Sequence, residues 1–76
     1  MEMDLDLLQP GRSATVVCIR SEKALKARLQ DFGLVPGTVV HCRFRSPDGC
    51  VTALEFRGLL LALRTTDLKH IRVRCQ

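Results

Sequence analysis

The run Arg28-Leu29-Gln30-Asp31-Phe32-Gly33-Leu34-Val35-Pro36-Gly37-Thr38-Val39-Val40 holds a helix end, a turn and the start of a strand. Leu25, Leu29 and Phe32 fall at i, i+4 and i+7, which is one apolar stripe of a helix. Gly33 follows the stripe at the position where a left-handed residue ends a helix, and Leu34 and Val35 can fold back onto that end. Pro36-Gly37 then reads as a turn with glycine at the positive-φ position. Upstream, Ser21 is placed to cap a helix running from Glu22 to about Phe32. Glu22 and Lys26 form an i,i+4 pair in the favourable order.

Outward from this run the pattern is that of strands. Arg12 to Arg20 is rich in β-branched residues (Val16, Val17, Ile19) with both faces apolar, so a central strand is predicted. Thr38 to Arg45 alternates: Val40, Cys42 and Phe44 are expected inside, and Val39, His41, Arg43 and Arg45 outside. Ser46-Pro47-Asp48-Gly49 is a turn, and Cys50 to Phe56 is the next strand. Arg57-Gly58 is a two-residue hairpin turn into Leu59 to Arg64, with Leu59, Leu61 and Leu63 inward. Thr65-Thr66-Asp67 starts a short helical turn reaching His70, and Ile71, Val73 and Cys75 alternate in a closing strand. The expected fold is mainly β with one inserted α-helix, five short strands closed into a small barrel within a single domain of residues 1–76.

Composition narrows the function. The chain has 76 residues, 46% hydrophobic and 26% charged, a globular balance with room for one small core and little for a multi-part active site. The longest apolar run, Leu59 to Leu63, is far too short to span a membrane as a helix. Met1 to Asp6 is acidic and lacks the apolar segment of a secretory signal, so a cytosolic protein is expected. Net charge is +4, yet residues 1–6 hold three acids and no base. The rest therefore reads as a strongly basic body behind an acidic tag, suited to an acidic partner.

Cys18, Cys42, Cys50 and Cys75 have no C-x-x-C pair, and in a reducing compartment they act as small hydrophobes. His41 and Cys42 are adjacent in a strand and point to opposite faces, which opposes a shared metal. His70 with a thiol has no supporting spacing, and no resident metal or cofactor is expected. No P-loop, nucleophile-elbow or metalloprotease spacing occurs, so no catalytic residues are assigned. Arg43, Arg45, Arg72 and Arg74 would form a basic patch if their two strands were neighbours. Nucleic-acid binding is not expected, because there is no Trp or Tyr and Phe32, Phe44 and Phe56 all fall on predicted core faces.

The run from Arg28 to Val40 resembles the signature of the FeoA family, the small accessory proteins of bacterial ferrous iron uptake. Leu8-Gln9-Pro10-Gly11, Phe56-Arg57-Gly58 with Leu61-Ala62-Leu63-Arg64, and Ile71-Arg72-Val73 extend the resemblance over Leu5 to Arg74. The sequence departs from the family at Pro47, which stands alone where two prolines are common; Cys50 takes the second place. The resemblance implies an SH3-like barrel with an inserted helix, in a cytosolic protein that acts with FeoB, a membrane ferrous-iron transporter carrying a GTPase domain. It also brings in metal-dependent repressors, which carry the same barrel as a C-terminal domain.

The first expectation is therefore a non-catalytic accessory protein docking on a FeoB-type transporter. Arg28, with Leu34 and Val35 as an exposed apolar lip, would make the contact, and Arg43 and Arg45 would steer it. Gly33, Pro36 and Gly37 are the structural turn. A repressor-linked or nucleic-acid-linked regulatory module, and a metal chaperone using thiols and His70, stand as alternatives, and weak homo-oligomerisation stays open.

Overall fold

The computed structural model describes residues 1–75. Six strands form one antiparallel sheet: β1 (Glu2–Asp4), β2 (Ser13–Ile19), β3 (Val39–Arg45), β4 (Val51–Phe56), β5 (Leu59–Arg64) and β6 (Ile71–Cys75). Helix α1 (Lys23–Asp31) joins β2 to β3, and 3-10 segments cover Leu5–Leu7 and Thr65–His70. The order across the sheet is β1-β6-β2-β3-β4-β5. The expected closed five-stranded barrel is corrected on both counts. There is a sixth strand, and β1 and β5 stand at the two ends of an open sheet.

The sixth strand comes from the supposed acidic tag. Glu2, Met3 and Asp4 pair with Arg74, Val73 and Arg72 of β6. Arg72 explains the acids there: its Nη1 lies 3.2 Å from Asp4 Oδ1 and its Nε 3.7 Å from Glu2 Oε1. β2 is central, as expected, between β6 and β3. The core is one cluster in which Leu5, Leu8, Val16, Leu34, Leu54, Phe56, Leu68 and Ile71 are buried. Burying such side chains is the main stabilising term, about 1.5–3 kcal/mol each.

The Arg57-Gly58 turn forms as read. Both residues have positive φ (52° and 76°), and Phe56 pairs with Leu59 across them. Thr65 N–H, one residue beyond β5, donates to the Cys50 carbonyl at 2.8 Å. Odd-numbered residues of β5 therefore bond toward β4, while Leu60, Ala62 and Arg64 turn their backbone groups to the open edge.

Two strands carry an extra residue. β2 shifts register against β6 between Val16 and Cys18. β3 shifts against β4 between Cys42 and Phe44, with Cys42 opposite Leu54 and Phe44 opposite Ala53. Arg43 is the bulged residue. Because side chains alternate with a period of two, one inserted residue exchanges the faces beyond it. Phe44, expected in the core, is 56% exposed, and Arg45, expected outside, is half-buried.

The helix starts differently from the reading. Its N-cap is Glu22 without a side-chain cap bond, and Ser21 Oγ is buried with no hydrogen-bond partner. The stripe of Leu25 and Leu29 faces the core, but Phe32, at the C-cap, is 43% exposed.

Candidate docking surface

The connection from α1 to β3 is a fixed knot of backbone bonds. Gly33 N–H donates to Gln30 O at 2.9 Å and Leu34 N–H to Leu29 O at 2.9 Å, a Schellman closure with Gly33 at φ 92°. Thr38 N–H donates to Val35 O at 3.0 Å around Pro36-Gly37, and Gly37 has φ 95°, which is the type II turn expected there. The knot is anchored to β2: Gly37 N–H donates to Val16 O, and Val16 N–H to Thr38 O.

Its centre is the Gly33 carbonyl, which accepts both Thr38 Oγ1–H at 2.9 Å and Arg57 Nε–H at 3.1 Å. A Cβ on Gly33 would lie 2.7 Å from Arg57 Cδ. Gly33 is thus required by its backbone angle, and a side chain there would also push Arg57 off the carbonyl it bonds. The sequence contained no signal for Arg57 in this role. It belongs to a different turn, and only the tertiary fold lays it over Gly33.

The residues expected to form a contact surface separate into three groups. Arg28 lies exposed on the last turn of α1, four residues before Phe32 and so on the same face. Val35 is half-buried in the turn that follows. Leu34 is fully buried and offers no surface, which corrects its assignment to an exposed lip; it fills the core under the helix end instead. Phe32 supplies the apolar contact that Leu34 was expected to give.

The sheet arginines are spent locally. Arg43 Nε bonds the Glu55 carboxylate, and this hydrogen bond, aided by the nearby charge, holds the Glu55 carboxyl below its ordinary range. Arg45 is turned inward by the bulge, where Nε donates to Thr52 Oγ1 at 2.9 Å and Nη2 to Leu8 O at 3.0 Å. Its first duty is structural, tying β3 to the segment before β2. The four-arginine patch does not assemble, because β2 lies between β3 and β6. The premise that every Phe is in the core also falls. Only Phe56 is, at 1% exposure, whereas Phe32 and Phe44 are open to contact.

His41 and Cys42 point to opposite faces, as read. His41 Nδ1 is 2.6 Å from Ser13 Oγ on the outer side, while Cys42 is buried. Burial pushes the Cys42 thiol pKa up, with Arg45 pulling partly the other way. Cys50 differs from the other thiols: it is exposed, in the turn before β4. Among the described residues, no three His, Cys, Asp or Glu side chains gather as a metal site, and no helix is long and apolar enough to cross a membrane.

The comparisons with known proteins agree with this architecture. The model of the FeoA domain matches residues 3–75. The FeoA protein of Chlorobium tepidum superposes with a TM-score of 0.92 at 32% identity, covering 96% of this chain and 70% of that one. The FeoA of Stenotrophomonas maltophilia, solved with zinc and described as a prokaryotic SH3 domain protein, gives 0.82 at 27% identity over 93% and 88% of the two chains. A manganese-dependent transcriptional repressor gives 0.88 at 13% identity, over 99% of this chain and 42% of its own; that likeness is one of fold. No curated protein sequence matches significantly.

Proposed function

The chain belongs to the FeoA domain family, and from that premise we propose that it is a non-catalytic accessory protein of ferrous iron uptake that docks on the cytosolic part of a FeoB-type transporter. The match of the family over residues 3–75 carries the reading. The solved S. maltophilia relative, described as a candidate activating factor of ferrous iron transport, points the same way. In this reading the iron is the transporter's cargo, and the chain works in the cytoplasm, at the membrane only through its partner. Such a chain can influence a transporter only by binding one of its states more tightly than another.

The surface we assign to the contact is Arg28, Phe32 and Val35 on the rigid end of α1, with Arg43 as a rim charge. An exposed aromatic beside an arginine, on backbone that is already fixed, is the composition of an interface hot spot and loses little entropy on binding. The test is interferometry of the purified chain against the solubilised transporter or its cytosolic domain across a salt series. Arg28→Glu combined with Phe32→Ala should weaken binding by about tenfold or more, and Arg43→Glu should mainly slow association. Absence of binding at low salt, or a double variant that binds like the parent, overturns the reading.

A further inference from the structure

At the end of the molecule where β2 stops and β6 begins, Asp4, Arg20, Lys69, His70 and Arg72 line an open depression of about 490 Å³. Arg20 N–H donates to His70 O at 2.7 Å, which fixes these two residues side by side. Arg72 is already committed to Asp4 and Glu2, so its single charge is shared between two acids, of which Asp4 is the one in the lining. Arg20, Lys69 and His70 are exposed, and none of them joins the ion pairs found among the described residues. Two cations and an imidazole outside any ion pair therefore face one space whose single acid, Asp4, is held by Arg72.

A second depression, of about 320 Å³, shares Arg20 and His70 as its wall and adds Ser21, Glu22, Leu25 and Asp67. Asp67 is held by Arg64 at 3.2 Å, and Glu22 is the acid left open on that far side. Ser21 Oγ is buried there with no partner, and α1 begins without a side-chain cap. A buried hydroxyl is ordinarily hydrogen-bonded, so the orphaned Ser21 Oγ leaves the start of α1 without an internal partner, behind the wall that Arg20 and His70 form. This combination is independent of the docking surface, which lies at the other end of α1.

We propose that the depression bounded by Arg20, Lys69 and His70 is a site for a phosphate group. A tetrahedral oxyanion offers several acceptors at once. It suits the fork of a guanidinium, the point charge of an ammonium and a ring N–H together, as a single carboxylate does not. The same chemistry is presented by a soluble phosphate or by the headgroup of an anionic lipid, and the two sources are separable by experiment.

The test is an amide-resolved NMR titration of the full chain with inorganic phosphate at low ionic strength, with chloride at matched ionic strength as reference. Saturable shifts should centre on Arg20, Ser21, His70 and Ile71. Arg20→Glu with Lys69→Glu should weaken binding by about tenfold or more, the scale expected for charge-assisted hydrogen bonds. Arg12→Glu with Lys26→Glu makes the same change of net charge elsewhere and should stay within about twofold. All four residues are exposed, so both variants should fold, which melting curves check. Sedimentation with phosphatidylglycerol and phosphatidylcholine vesicles separates the sources. Retention on the anionic vesicles that the first variant loses assigns a lipid headgroup, and phosphate binding without retention assigns a soluble phosphate. Shifts that chloride reproduces, or equal weakening in the two double variants, overturn the site.

Discussion

The knot from Gly33 to Thr38 and the second half of β3 are only a few residues apart, yet the physics that fixes them differs. In the knot the interactions that set the chain path are local: a helix stop, a Pro-Gly turn and a threonine bonding back five residues, to which Arg57 and the bonds with Val16 add anchors from elsewhere. In β3 the decisive event is Arg43 standing as one residue too many against β4, which sends Phe44 outward and Arg45 inward. Turn chemistry is written in residue types, because glycine and proline have backbone preferences of their own. A bulge is written in the pairing between strands, and no residue type announces it.

The largest effect should come from breaking the knot. Gly33→Val forces a β-branched residue into the left-handed region against Arg57 and should destabilise the domain by about 3 kcal/mol in urea unfolding. A near-native midpoint would show that the helix end tolerates another geometry. The bulge is tested by a contrast of neighbours. Arg45→Ala should cost about 1.5 kcal/mol by removing its bonds to the Leu8 carbonyl and to Thr52, whose hydroxyl keeps only Thr65. Phe44→Ala should cost under about 0.5 kcal/mol, whereas a core phenylalanine would cost about 3–5 kcal/mol. The reverse order would mean that β3 alternates without interruption.

The smallest effect is in the turn that follows β3. The Asp48 carboxyl is held below its ordinary range, first by the Ser46 hydroxyl at 2.6 Å and then by Cys50 N–H at 3.0 Å. A depressed carboxyl stabilises the folded state above its unfolded value, and that contribution is lost as pH falls through the lower folded value. Unfolding free energy should therefore decline below about pH 4, and Asp48→Asn, which keeps the acceptor and removes the titration, should flatten part of that decline. Identical acid profiles for the two proteins would place the acid response elsewhere, with Glu55 the next carboxylate to test.

Legibility in the sequence followed the same division. The helix with its stripe and stop, the central β2, the two-residue hairpin and the inward leucines of β5 were all readable from period and turn residues. The sixth strand was hidden because Glu2 and Asp4 look like a solvated tag until Arg72 lies across from them, sixty-odd residues later in the chain. Ser21 looked like a cap by type, but the helix begins after Glu22 and leaves its hydroxyl behind. At the candidate site, Arg28 was reachable by helical spacing. Phe32 was hidden by the stripe it shares with Leu25 and Leu29, and Leu34 was misplaced because folding back onto a helix end buries a leucine rather than displaying it.

The unclosed sheet has a consequence for the molecule in concentrated solution. The strand from Leu59 to Leu63 presents its outermost hydrogen-bonding groups to water with no acid or base along it until Arg64, whereas the opposite flank carries Glu2 and Asp4. Charge at a rim of this kind keeps neighbouring copies from adding their own strands. On that side the charge within the strand comes down to Arg64, itself paired with Asp67 at 3.2 Å, so this rim is less guarded against an added strand than the opposite one.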